Sequence, residues 1–245
     1  MVKVGKVAYL NTMPLFYKWE DPNIQLVYGH PSELVLKLRE GNIQAGIVSS
    51  AEYIINPHIY SYVPDISISS KEYACSVLIF SKVPIAEVKN VYLTPNSLTS
   101  KYLSVYVLEE IYGLKPIYTE EIQKADCFLL IGDEALLEKK RGRFPYIYDL
   151  GHEWYKKHQL PFVFALFIVR KDAPLWLAQR ISELCSASKK AFFKDLIQGK
   201  VEIEGFEQEE LVEYFTKCLH NGLGEKELTS LEIFMKFLDS RGYTK

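Results

Sequence analysis

The spacing of apolar and polar positions along this chain changes period in a regular way. Runs of strand character at 3–10, 24–28, 45–48, 60–68, 76–80, 91–93, 116–118, 127–131, 146–148 and 162–169 alternate with segments of helical spacing. That grammar predicts an α/β protein with mainly parallel strands. Segment 31–41, PSELVLKLREG, predicts a helix that opens on a proline, sets Leu34, Val35 and Leu38 on one face and stops at Gly41. Segment 97–113, SLTSKYLSVYVLEEIYG, repeats the pattern with a Ser/Thr start and a glycine end. Beyond residue 172 the spacing is helical alone, over 173–198, 208–220 and 225–240, and no strand pattern returns.

Two apolar stretches, ACSVLIFSKVP at 74–84 and LPFVFALFIVRKD at 160–172, fit strands by which the chain crosses between two lobes. The expected division is one lobe from 1–83 with 164–245 and a second, inserted lobe from 84–163. A cleft between such lobes gathers strand ends and helix N-termini and is the usual place for a ligand. The first strand bears on this directly. In VAYLNTMPLF, Val7 and Tyr9 alternate as a strand should, the chain is expected to leave the sheet at Leu10, and Asn11 would then face the cleft. Pro14 is expected to keep the backbone from continuing as ladder or helix.

The remaining positions at strand ends are rich in neutral donors: Asn11 and Thr12, Ser49 and Ser50, Ser69 and Ser70, the run TPNSLTS, and Gly132-Asp133. Ser97, Thr99 and Ser100 open a helix, where unpaired N–H groups and the helix dipole suit a carboxylate or phosphate. Plain N-capping accounts for one or two of those hydroxyls equally well. Asp133 has the ordinary alternative of a first-turn acid, Ser49 and Ser50 that of capping the next helix. Tyr9, Tyr155 and Phe164 could stack on a ring or pack in the core.

Composition narrows the classes. The chain has 245 residues, 48% of them apolar and 24% charged, with 29 Lys and Arg against 31 Asp and Glu. A net charge of -2, with KKRGR at 139–143 as the densest basic run, argues against a nucleic-acid partner. The apolar run 160–169 is half the roughly 20 residues that a membrane span needs. MVKVGKVAYL opens as a strand rather than as a leader, so a cytoplasmic protein is expected. Cys75, Cys127, Cys185 and Cys218 are far apart, without CxxC or a nearby histidine, and read as free thiols. No GxSxG, HExxH, P-loop or GxGxxG is present, and no histidine falls on a strand end. The residues alone describe a cleft of hydroxyls, an amide and aromatics suited to a small organic anion, and leave enzyme and binder both open.

Several segments, in order and spacing, resemble one family: VAYLNTMPL, IVSSAEYI after Glu40-Gly41, PDISISS with SVLIFSKVP, LTPNSLTSKYL, LLIGDEAL, YDLGHEWY and LPFVFALFIVRKD. The chain is similar over about 3–172 to the menaquinone-biosynthesis family of the futalosine route, nearer its chorismate dehydratase branch than its 1,4-dihydroxy-6-naphthoate synthase branch, for which a histidine base is expected. The resemblance implies a two-lobe α/β fold of the type II periplasmic-binding-protein kind with a central cleft and a helical C-terminal segment. It implies removal of water from chorismate to give 3-[(1-carboxyvinyl)oxy]benzoate, with no cofactor and no metal, the substrate's own side-chain carboxylate taking the proton. Carried over, Asn11 is the catalytic residue, Ser76 a ligand-contacting serine, and Ser97, Thr99 and Ser100 a carboxylate site, with Tyr9, Ser49, Ser50, Gly132, Asp133 and Phe164 as further substrate contacts. The chain departs from the family pattern at KEYAC (71–75), where a glycine-rich turn is usual, at Gln159, where glycine is usual, and at Phe167, where tryptophan is usual. Chorismate is then the expected partner, with no nucleic acid and no membrane; the oligomeric state stays open, a homodimer being one option. A non-catalytic anion-binding protein of the same fold is the other reading.

Overall fold

The computed structural model describes residues 1–244. The first sheet has six strands in the order β11-β4-β10-β3-β1-β2, the second five in the order β7-β6-β8-β5-β9. The first holds β1 (Val2–Lys6), β2 (Ile24–Tyr28), β3 (Ala45–Ser49), β4 (Tyr60–Ser70), β10 (Val163–Arg170) and β11 (Leu219–His220); the second holds β5 (Val77–Ser81), β6 (Asn90–Leu93), β7 (Ile117–Thr119), β8 (Cys127–Ile131) and β9 (Tyr146–Asp149). Strands β3, β5 and β8 are buried along their whole length, which is why AGIVS, VLIFS and CFLLI read as unbroken apolar runs. The edge strands β7 and β9 are largely exposed.

Strand direction is mixed rather than mainly parallel. β1 pairs parallel with β2 and β3, and β6 with β7 and β8, whereas β10 is antiparallel to β3 and β4, β5 to β8 and β9, and β11 to β4. Two of the three reversed strands, β5 and β10, have a common cause. β5 is where the chain enters the second sheet from the first, and β10 is where it returns, so each starts at the cleft while its neighbours end there. The change of sheet falls between Ser70 and Val77, a few residues before the boundary expected at 83/84.

The helices α1 (Met13–Phe16), α2 (Pro31–Arg39), α3 (Ser50–Ile55), α4 (Leu98–Val105), α5 (Gly132–Arg141), α6 (Leu150–His158), α7 (Trp176–Ile197), α8 (Gln208–Glu213) and α9 (Glu225–Ser240) cover the sheets. Leu177, Ile181 and Phe192 of α7 pack with Val4, Ile47 and Phe167 on one face of the first sheet, and Leu34 and Leu38 of α2 pack on the other. Phe234, Phe237 and Leu238 of α9 join the core of the second sheet with Trp154 and Phe162. The C-terminal helix therefore serves the second core, although the chain leading to it packs on the first.

Several expectations are corrected locally. β1 ends at Lys6 instead of Leu10, and Leu10–Thr12 forms a turn of 3-10 helix that runs into α1. Pro14 opens that short helix, where its missing N–H costs nothing, and does not block it. The stretch 208–220 is not one helix: α8 gives way to a π-helical turn at Tyr214–Cys218 and then to β11, which pairs with Ser69 and Ser70 of β4. That pairing also overturns the reading of four free thiols. It brings Cys218 beside the crossing segment, where it forms a disulfide with Cys75 at a Cα–Cα distance of 5.9 Å. A sequence separation of 143 hides such a pair from spacing rules. Cys127 and Cys185 are free and buried.

Candidate functional site

Because forward strands end at the cleft and the reversed strands begin there, one hollow collects both sets of termini. It measures about 640 Å³ when counted out through its open mouth into solvent. Its floor is apolar, from Ile47, Ile68, Val77 and Ile131, and its polar groups are hydroxyls and one amide. Among the described residues, no Lys, Arg, His, Asp or Glu lines it.

Of the residues expected to meet a ligand, Tyr9, Asn11, Ser49, Ser76, Ser97, Ser100, Gly132 and Phe164 stand at this wall. Ser50, Thr99 and Asp133 do not. Ser50 Oγ donates to Val163 O at 2.7 Å and lies 3.2 Å from Thr99 Oγ1, which accepts from the N–H of Ala51 at 2.9 Å. These two hydroxyls are spent joining the start of α3 to the start of α4 across the lobes. Asp133 accepts the Leu10 N–H at 3.0 Å, and burial pushes its carboxyl above the ordinary range. Sequence order shows which residues open a helix but not which way each turns, which is why all three were expected at the wall.

Ser97 is the N-cap of α4: its Oγ accepts the Ser100 N–H at 3.2 Å, lies 3.0 Å from Ser100 Oγ, and faces Ser49 Oγ at 3.4 Å from the other lobe. Capping thus explains part of the hydroxyl cluster, while three serines remain grouped at the wall. Ser76 Oγ lies 2.8 Å from the phenol of the buried Tyr214. Tyr9 lies over Gly132: a Cβ there would come within 3.3 Å of the ring, and φ is +61°, so the glycine of IGDEAL is required twice over.

Asn11 differs from the others. Its Oδ1 is buried and has no hydrogen-bond partner among the described residues. Its position at the wall follows from the 3-10 turn, pinned by Thr12 N–H to Tyr9 O at 3.1 Å and by Thr12 Oγ1 to Val7 O at 2.8 Å. Sequence reasoning passed over Thr12, Ser69, Ser70 and Ala74 as wall residues. The first three had been marked as polar groups after strands, which was the available signal.

The motif YDLGHEWY shapes the wall from behind. Asp149 caps α6, and its carboxylate accepts the N–H groups of Ala74, Cys75 and His152 at 2.9, 2.7 and 3.1 Å, fixing the crossing segment. Desolvation pushes this carboxyl up, and those backbone bonds pull it the other way. Gly151 is needed because a Cβ would meet Ala74 N at 2.8 Å. Glu52 of IVSSAEYI is fully buried and held by Arg39 at 2.9 and 2.5 Å and Tyr60 at 3.1 Å, an anchoring role. One histidine, His220, does fall on a strand, β11, but it lines a separate hollow with Lys71 and Lys189, and burial lowers its pKa. No group of acidic, histidine and cysteine side chains suited to a metal ion, and no helix long and apolar enough to cross a membrane, occurs among the described residues.

Two lobes joined by paired crossings, with a neutral polar cleft between them, define a periplasmic-binding-protein-like fold. Solved structures agree: a protein of Archaeoglobus fulgidus superposes with a TM-score of 0.79 at 15% identity over 99% of this chain and 98% of its own. The periplasmic aliphatic sulphonate binding protein of Escherichia coli does so with a TM-score of 0.64 at 11% identity over 99% and 93%. Within that fold the sequence is more specific. The model of the menaquinone biosynthesis family matches residues 2–240, and the chain belongs to that family. Its relatives include the chorismate dehydratases of Thermus thermophilus, 28% identical over 70% of each chain, and of Campylobacter jejuni, 27% identical over 95% of each chain.

Proposed function

We propose that this protein is a chorismate dehydratase, binding chorismate in the cleft and converting it to 3-[(1-carboxyvinyl)oxy]benzoate. The observation that carries the reading is the buried, unpartnered amide oxygen of Asn11 at the cavity wall. A buried polar atom left without a partner costs on the order of 1–3 kcal/mol, and a bound ligand is what would satisfy it.

The reaction removes the C3 proton and the C4 hydroxyl as water, leaving an aromatic ring, so the product side is strongly downhill. The barrier lies in the C3–H bond, whose proton is acidic only through conjugation with the ring carboxylate. Donors set against that carboxylate stabilise the charge that develops there. Ser49, Ser97 and Ser100 form such a group, and the N-terminus of α4 adds its dipole. Among the described residues, no Lys, Arg, His, Asp or Glu lines the wall, in keeping with the enolpyruvyl carboxylate of the substrate taking the proton, as the resemblance implies; Asn11 Oδ1 would accept from the departing C4 hydroxyl, and its NH2 would donate to that carboxylate. Catalysis of this kind rests on orientation.

Purified protein incubated with chorismate is expected to produce the aromatic product. Asn11→Ala is expected to lower kcat at least about tenfold with the fold intact, the scale for losing one orienting group in the transition state. Binding of chorismate without conversion would make the protein a binder and sink the enzyme reading; a normal rate in Asn11→Ala would remove Asn11 from the mechanism.

A further inference from the structure

Resting on that reading, we infer that Asp133 is a positioning residue that aims Asn11 from across the cleft. The Asn11 side chain makes no hydrogen bond to the protein among the described residues, so its direction is inherited from the backbone of Leu10–Thr12. An orienting group without side-chain support is only as well placed as the turn that carries it. That turn has internal bonds from Thr12 to Val7 O and Tyr9 O. Its bond to a side chain of the opposite lobe is the Leu10 N–H to Asp133 Oδ1, at 3.0 Å, over a sequence separation of 123.

The second lobe touches the same segment twice. Gly132 lies under the Tyr9 ring, closely enough that a Cβ would press on it at 3.3 Å, and Asp133 takes the next N–H along. Both contacts come from the first turn of α5, so the second lobe holds this segment through one element. Asp133 itself stands behind the cavity wall. A carboxylate accepting a backbone N–H makes a stronger bond than a neutral acceptor does, and here it is partly desolvated, which raises its pKa. The arrangement ties the aim of the orienting amide to the second lobe.

Two measurements test this on the full chain. Without any substrate, Asp133→Ala is expected to speed hydrogen exchange of the Leu10–Thr12 amides about tenfold or more, as a local opening does. With chorismate, it is expected to lower kcat about tenfold while KM stays within about threefold, and Asp133→Asn, which keeps the acceptor oxygen, to stay within about threefold of the parent. In an Asn11→Ala background, adding Asp133→Ala is expected to change kcat less than about twofold, since it acts through a group already gone. Asp133→Leu replaces the alanine variant if that one fails to fold. Unchanged exchange in Asp133→Ala, or in Asp133→Leu where that replaces it, or a full further loss of rate in the double variant, overturns the inference. Absence of turnover in the parent protein overturns the functional reading instead, and the exchange measurement still decides the positioning.

Discussion

Gln159 ends α6 in the left-handed region, at φ 55° and ψ 31°, with its side chain exposed. A residue with a Cβ pays roughly 1–2 kcal/mol for that conformation, and glycine gives back about 1 kcal/mol through the freedom it loses on folding. Gln159→Gly is therefore expected to match or exceed the parent in stability by up to about 1 kcal/mol, while Gln159→Val loses more than about 1 kcal/mol, as denaturant unfolding would read. Cys75, in KEYAC, has φ 60° as well, so it too stands where the backbone favours glycine. At this scale the sequence revealed the hydroxyls and the amide that follow strands, because a polar residue after an apolar run marks a strand end. It did not reveal which of those groups are already bonded: Ser50 and Thr99 carry the same hydroxyl chemistry as Ser49, Ser97 and Ser100, Asp133 follows a strand as they do, and only the meeting of the lobes separates them.

The crossing segment between β4 and β5 is an element without regular structure, and one carboxylate stands in for a ladder. Asp149 Oδ1 takes the Ala74 N–H and Oδ2 the Cys75 N–H. Asp149→Asn puts an NH2 where one acceptor stood, so one of those N–H groups loses its partner. The expected loss is about 1–3 kcal/mol in denaturant unfolding. Since Ala74 and Ser76 line the cavity, a raised KM for chorismate should accompany it; parental stability and KM would show that the segment is held by other contacts. The strands and helices were legible because their apolar spacing is strong, and β2 and β8 have the bounds expected of them. Strand direction was not legible. Period 2 is the same in parallel and antiparallel strands, and the reversal of β5 and β10 depends on where the chain changes sheet. β11, two residues long, is too short to leave a pattern.

At the scale of the whole molecule, two covalent routes hold the C-terminal region to the lobes. The chain itself passes from β10 through α7 and α8, and the Cys75–Cys218 disulfide returns it to the crossing segment. Reading the cysteines by spacing missed this, since the two meet only once β11 has paired with β4. The bridge closes a loop of well over a hundred residues, for which the unfolded-state entropy model gives about 5 kcal/mol, with about 2–5 kcal/mol usual in practice. Cys218→Ser is accordingly expected to lose about 2–5 kcal/mol against the oxidised parent, and a reductant to bring the parent to the level of the variant while leaving the variant unmoved. A further effect should appear at the cleft. Cys75 is next to Ser76, whose hydroxyl lies 2.8 Å from the Tyr214 phenol, and Cys218 ends the π-helical turn that begins at Tyr214. Opening the bridge loosens both carriers of that hydrogen bond, so reduction should weaken chorismate binding in the parent but not in Cys218→Ser, where the bridge is already lost. An unfolding midpoint and a chorismate affinity that do not respond to reductant in the parent would show that the two thiols are not joined in solution.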